Sequence, residues 1–407
     1  MSYQHIFKKS VNFYTILGAQ CQNPRRLFLL IAWLCVQPVC ATTPITPAIA
    51  TPKLPPNSTL ISHGSQQFHL RTMAPTEANN NLPVILLLSG FNQNFHADSA
   101  WFALLQPLLA QKYQVLTIDR LGNGFSDNAD DVSYQRFSQD LATLLPKITP
   151  QPVILVSFAS ASISARLFHH QQQSSPHKNS RQVQAMLWID PDIATPEALA
   201  LYQGYPVDWY QKNLQQLLPE LAKGVWNQRT KDKLSKERTE IAALLSAEHR
   251  AVMDWNYFDL ISLQRQSPAR QQQRAIEIAN YAKDLDLYAA LPPVTDIPIS
   301  VIDSDFETAA IQADPAQATP LLQWQQQGSA WSQQLAERSG GQYLPLSNSH
   351  HLVMFQHPDK IVAAVDWLSE KITAKPDGPM AAAGLPADDA SLIGPTVYKK
   401  SASSRRL

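Results

Sequence analysis

Pro152 to Arg166 reads PVILVSFASASISAR: an apolar run, a cluster of small residues, then a segment with helical spacing. An uninterrupted apolar run ending in small residues predicts a strand covered on both faces, so the whole predicts strand, tight turn, helix. A turn that sharp brings strand and helix so close that the residues two before and two after its apex must be small. With Ala159 at the apex they are Ser157 and Ala161, both small. With Ser160 they become Phe158 and Ser162, and the phenylalanine clashes. With Ser157 the turn begins inside the strand, beside Leu155. The Ala159 register fits best; Ser160 and Ser157 stay open as shifted alternatives.

Working outward, the pattern repeats. Val84 to Leu88 (VILLL), Tyr113 to Ile118, Ala185 to Ile189 and Ile297 to Ile302 are buried-strand runs, with a shorter one at Gln342 to Leu346. Between them, Trp101 to Leu109, the stripe Phe137, Leu141, Leu144 and Leu145, Leu321 to Arg338 and Ile361 to Ile372 carry helical spacing. Such alternation predicts an α/β protein: a mostly parallel sheet flanked by helices. Thr195 to about Leu291 breaks the rhythm, with several helical patterns, no convincing strand and many Gln, Lys and Arg residues. Helices inserted between two sheet strands form a cap over the carboxyl ends, where open α/β sheets bind ligands. Tyr202, Tyr205, Trp209, Tyr210, Trp226, Trp255 and Phe258 give that cap its aromatic supply.

The ends of the chain differ in kind. Residues 1–41 hold no Asp or Glu, carry Lys8, Lys9, Arg25 and Arg26, then run apolar from Leu27 to Val36 before Val39-Cys40-Ala41. This predicts a secretory signal cleaved after Ala41, and so an exported, periplasmic or extracellular protein. An uncleaved membrane tether is the alternative, although about 15 apolar residues fall short of the ~20 a span needs. The Arg25-Arg26-Leu27-Phe28-Leu29 run resembles a twin-arginine motif, but the strong apolar segment favours the general route. All three cysteines (Cys21, Cys35, Cys40) lie in this leader, so the mature chain forms no disulfides. Residues 42–57 read as a Pro/Thr-rich linker, 58–374 as the folded domain with its cap at about 195–291, and 375–407 as a disordered tail.

The 407 residues carry 33 basic and 33 acidic side chains. That balance, without a basic-aromatic stripe, argues against a nucleic-acid partner. No metal-ligand spacing appears, and His169-His170 and His350-His351, being adjacent, do not share a helix face.

Three further segments carry chemistry. Ser89-Gly90-Phe91 follows the VILLL strand. Asp119 to Asp127 reads DRLGNGFSD, its glycines suited to a tight turn. His351-Leu352-Val353-Met354-Phe355-Gln356-His357-Pro358 follows the last strand and precedes the last helix. In this order, with the strand–turn–helix between them, they resemble the α/β-hydrolase-fold family from about Leu60 to Ile372. The DRLGNGFSD loop is the most specific match and its role there is architectural.

The resemblance implies an α/β-hydrolase fold with an inserted helical cap, and no cofactor or metal. It makes the Ala159 turn a nucleophile elbow and His351 the histidine of a triad, with His350 where the family has glycine and His357 structural. The oxyanion donors fall to the backbone N–H groups of Phe91 and Ser160. The acid is expected at a strand end. Asp305 or Asp303, closing PISVIDSD, is favoured over Asp190, which closes the strand before WIDPD ends at Asp192.

Ala159 has no atom that attacks a carbonyl, whereas Ser, Cys or Asp there would support a covalent intermediate. Three readings follow. The first is a non-catalytic member that binds a small, largely apolar ligand. The second is a serine esterase using Ser160, or Ser157, with His351 and a strand-end aspartate. The third is an enzyme in which His351 acts as general acid and base without a covalent step. No stable membrane span is expected after signal cleavage, and the sequence carries no signal for oligomeric state.

Overall fold

The computed structural model describes residues 53–77, 79, 81–174, 182–313 and 318–374. The leader at 1–41, most of the linker and the tail from 375 lie outside them.

Eight strands form one sheet: β1 (Ser58–His63), β2 (Gln66–Met73), β3 (Val84–Leu88), β4 (Val115–Ile118), β5 (Val153–Phe158), β6 (Val183–Ile189), β7 (Ile299–Ser304) and β8 (Tyr343–Leu346). Their order is β1-β2-β4-β3-β5-β6-β7-β8. The β1–β2 and β2–β4 pairs are antiparallel, and every pair from β4 to β8 is parallel. The alternating run was legible; the β1–β2 hairpin, with its polar alternation STLISH and QQFHLRTM, was not expected.

Helices fill both faces. The core domain carries α1 (Leu105–Leu109), α2 (Tyr134–Ile148) and α3 (Ala161–Ser174). Between β6 and β7 come the cap helices α4 (Pro196–Tyr202), α5 (Val207–Ala222), α6 (Asn227–Leu244), α7 (Ala247–Val252), α8 (Trp255–Gln264) and α9 (Pro268–Ala289). After β7 follow α10 (Glu307–Ala313), α11 (Ala318–Ser339), α12 (Val353–Gln356) and α13 (Pro358–Thr373). Trp101 to Leu109, expected as one helix, divides into a 3-10 turn at Ser99–Phe102 and the short α1.

The sheet is covered on both faces because its central strands are mostly apolar and buried at nearly every position. Successive side chains of a strand point to opposite faces. Accordingly Val84, Leu86 and Leu88 join one core layer with Phe137, Leu141 and Phe168 of α2 and α3. Ile85 and Leu87 join the other, with Ile154, Val156, Phe158 and Val365. Strand β5 thus delivers Phe158 to one face at the point where its chain leaves the sheet.

The cap is joined to the core by buried charge as well as apolar contact. Arg265, just after α8, clamps Asp98 with two bonds of 2.7 Å and reaches Glu237 of α6 at 2.6 Å. Asn92 Nδ2 donates to the same glutamate at 2.7 Å. Burial alone would push the Glu237 carboxyl up, yet it is held down to about 2. Burial lowers His96 beside it to about 4, which keeps that imidazole neutral near pH 7, so Arg265 supplies the charge that keeps Glu237 ionised.

Candidate active site

The turn after β5 consists of Ala159 and Ser160, and α3 begins at Ala161. Ala159 has φ of +50°, in the left-handed region that L-residues other than Gly, Asn and Asp seldom enter. Such strain costs on the order of 1–3 kcal/mol and persists only where surrounding packing imposes it. Here the Ser89–Phe91 turn presses directly on it. A Cβ on Gly90 would lie 2.2 Å from the Phe158 carbonyl oxygen and 2.5 Å from the Ser160 nitrogen, so glycine is required there. The strained apex is therefore Ala159, buried at 3% exposure.

His351 lies in the loop between β8 and α12, and its Nδ1 is 2.9 Å from Oδ2 of Asp190. Asp190 directly follows β6 with φ of +45°, and its carboxylate faces the end of β7. There Oδ1 accepts from the Ser304 backbone N–H at 2.7 Å and Oδ2 from the Ser304 hydroxyl at 2.5 Å. The imidazole sits between the Phe158 ring at 4.8 Å and the Phe306 ring at 4.7 Å. Among the described residues none hydrogen-bonds its Nε2. A histidine oriented through one nitrogen, with the other left open, is the arrangement of a general base.

This pairing corrects the sequence expectation for the acid. Asp303 accepts instead from the Tyr343 hydroxyl at 2.8 Å. Asp305 accepts the backbone N–H groups of Asn348 and Ser349 at 2.9 and 2.8 Å, so it shapes the loop that carries His351. The left-handed backbone at Asp190 decides which carboxylate reaches the imidazole, and strand alternation carries no trace of it.

The two alternative serines point elsewhere. Ser157 is fully buried within β5, where its hydroxyl finds no hydrogen-bond partner among the described residues. Ser160 Oγ accepts the backbone N–H of Phe91 at 2.8 Å and shares a 2.5 Å hydrogen bond with the Tyr134 hydroxyl. Neither hydroxyl is bonded to His351. Phe91 N–H, expected as an oxyanion donor, is thus engaged by the side chain of the residue next to the apex.

Arg120 of the DRLGNGFSD loop fixes this arrangement. It donates to the Tyr134 hydroxyl at 3.0 Å and the Ser89 carbonyl at 2.6 Å, and pairs through Nε with Glu277 of α9. Burial pushes the Tyr134 phenol well above its ordinary value, so it stays neutral. Within the same loop, a Cβ on Gly124 would fall 1.9 Å from the Asp119 carboxylate, which binds His69 Nδ1 at 2.6 Å. Rings close the space around the turn: Phe91 meets Phe95 at 5.2 Å and Tyr134 and Tyr281 at 5.5 Å each.

Sequence reasoning missed Ser304, Phe306, Tyr134, Glu277 and Tyr281, all supplied by elements remote in the chain. Tyr281 donates to the Asp192 carboxylate, which burial pushes up to about 6. Glu307, 8% exposed at the start of α10, is pushed up to about 8, first by burial and further by Asp190. Its ordinary value is 4.5, so folding favours its protonated form. The stability this group leaves intact is fully present below pH ~4.5 and is lost as pH rises toward 8. Glu307→Gln should therefore raise the melting temperature over wild type by a margin that widens from about pH 5 to pH 8. Parallel melting curves that keep a constant gap across that window would contradict the assignment.

Among the described residues no cluster of three or more His, Cys, Asp or Glu side chains is placed to hold a metal ion. Among the same residues no helix is long and apolar enough to cross a membrane.

An eight-stranded, mostly parallel sheet, a strained strand-to-helix turn, a histidine–aspartate pair and a helical cap together define an α/β-hydrolase fold. The sequence profile of the alpha/beta hydrolase family matches residues 85–365, and the chain belongs to that family. Similar solved structures agree on the fold. An alpha/beta hydrolase fold protein from Burkholderia ambifaria is 18% identical, with a TM-score of 0.50 over 75% of this chain and 96% of that one. A Vigna radiata epoxide hydrolase is 14% identical, with a TM-score of 0.51 over 77% and 98%. A mutant Vigna radiata epoxide hydrolase, 13% identical, reaches a TM-score of 0.53 over the same shares. No curated protein matches the sequence.

Proposed function

We propose that this chain is a non-catalytic, ligand-binding member of the alpha/beta hydrolase family. The observation that carries the proposal is the strained apex: its side chain is the methyl group of Ala159, and the neighbouring Phe91 N–H is already satisfied by Ser160. A hydrolase of this fold needs a nucleophile at that apex and a donor free to meet the developing oxyanion. The aromatic rings of Phe91, Tyr134, Tyr281, Phe158 and Phe306 favour a small, largely apolar ligand. The test is chemical. Purified protein treated with a fluorophosphonate should show no adduct at Ser157, Ser160 or Ser162 by peptide mass spectrometry. Aryl-ester hydrolysis should be no faster than in His351→Ala. An adduct in that peptide, or turnover abolished by His351→Ala, would overturn the proposal.

A second reading draws on a different observation, the intact dyad. His351 keeps an anchored Nδ1 and an open Nε2, so it suits proton transfer without a covalent step, which contributes ~10²–10⁴ in rate where it operates. It is distinguished from the first by a proton-transfer activity that disappears with His351→Ala while fluorophosphonate leaves it untouched.

A further inference from the structure

Residues 347–352 link β8 to α12 and carry His351. Asp305 accepts the N–H groups of Asn348 and Ser349 at 2.9 and 2.8 Å, and Gln356 Oε1 accepts that of His350 at 2.6 Å. These bonds tie the loop to the core domain. A bond to the cap comes from the His350 side chain. Its Nδ1 accepts the Leu352 N–H at 3.0 Å, so the ring proton sits on Nε2, which donates to Glu240 Oε1 of α6 at 3.0 Å. Glycine, which the family pattern places at this position, has no side chain to make either bond. Ile241, next on α6, is buried in the same core layer as Leu352 and Val353, so cap helix and loop also meet through apolar contact. Glu237, about one turn earlier on α6, has a side chain 1% exposed and is held by Arg265. The side chains of His350 and Glu240 are 30% and 39% exposed instead. Water competes for a bond at such a rim, which makes it the first to part when the helix shifts.

We propose that His350 is a positioning residue that makes the His351–Asp190 pair depend on how the cap is seated. With Glu240 accepting from its ring, the backbone at His350 is held from the cap side and from α12, and His351 Nδ1 stays 2.9 Å from Asp190. When the Glu240 bond parts, His350 keeps only its bonds to Leu352 and Gln356, and the neighbouring imidazole loosens on its carboxylate. A ligand that displaces α6 is thereby registered at His351. The inference rests on the reading that the Ala159 turn and His351 form one ligand site. Its readout is taken on the unliganded chain, so the two fail separately: a fluorophosphonate adduct would remove that reading and leave the coupling intact.

The experiment is proton NMR of the full chain near pH 7, reading how fast the downfield Nδ1 proton of His351 exchanges with water. The resonance is assigned by its disappearance in His351→Ala. A polar contact this exposed shifts an equilibrium about two- to fivefold. Glu240→Ala and His350→Gly should therefore each speed the exchange about two- to fivefold, and the double variant should go no faster than either, because both remove the same bond. Glu240→Gln keeps an oxygen to accept from His350 and should exchange at the wild-type rate. The Nδ1 proton of His69, fully buried and 2.6 Å from Asp119, should be unchanged throughout, which separates this loosening from a general one. The rate at which diethyl pyrocarbonate modifies His351, located by tandem mass spectrometry, should follow the same order and serves if the proton line is too broad. Wild-type rates in Glu240→Ala and His350→Gly, a Glu240→Gln as fast as Glu240→Ala, or a parallel rise at His69 would overturn the proposal.

Discussion

Placing serine at the apex alone, by Ala159→Ser, should yield at most slow turnover of p-nitrophenyl acetate, whereas Ala159→Ser with Ser160→Ala should be faster by ~10²–10³. The single substitution supplies an attacking oxygen on the turn beside an imidazole already oriented by Asp190 at 2.9 Å. It leaves Phe91 N–H donating to Ser160 Oγ at 2.8 Å, so the tetrahedral intermediate meets an occupied donor. Removing the Ser160 hydroxyl releases that N–H, and the loss of one such donor typically accounts for the stated factor. Steady-state rates and the second-order rate of fluorophosphonate labelling should rise together in the double variant. Equal rates in the single and double variants would show that the Ser160 bond does not block the donor.

Replacing Arg265 with methionine should destabilise the protein by about 3–5 kcal/mol, read as a lower urea midpoint at unchanged slope. The guanidinium is 5% exposed and bonds Asp98 twice and Glu237 once, while those carboxylates are 3% and 1% exposed. Methionine fills similar space but leaves two buried charges without their cation, and that uncompensated burial dominates the cost. Lost packing of the guanidinium over the Trp101 ring, 4.7 Å away, adds to it. Adding Asp98→Asn and Glu237→Gln should recover part of the loss, because the carboxylates then no longer carry charge. A loss below ~1 kcal/mol would place this network among solvated ion pairs instead.

The fold was legible because its central strands carry apolar residues on both faces. VILLL, VILVSF and AMLWI are apolar on both faces but for Ser157, and a parallel sheet with helices on both sides buries such strands. The β1–β2 hairpin was not legible for the opposite reason: STLISH and QQFHLRTM are mostly polar and hold no apolar run to mark a strand. Small residues around the turn favoured Ala159 as the apex, and the structure accounts for them, since Gly90 packs against the Phe158 carbonyl and the start of α3. The partner of His351 was not fixed. Asp190, Asp303 and Asp305 all close strands, and their separation depends on one left-handed backbone angle and on Ser304, which no local pattern encodes. The cap's contributions, Glu277 to Arg120 and Tyr281 to Asp192, join residues about 90 to 157 apart in the chain, beyond the reach of any short motif.

The Ser160–Phe91 bond also bears on how such a chain changes over generations. Alanine and serine codons differ by a single base, so a serine at position 159 is one mutation away. A serine arriving there alone meets an oxyanion donor that is already spoken for, and the gain offered to selection is small. On the proposed reading, nucleophilic chemistry at this turn takes two coordinated replacements, at 159 and at 160, the first of which brings little by itself. If the turn is silent as proposed, the hydroxyl beside the apex acts as a ratchet against a change that the genetic code makes easy.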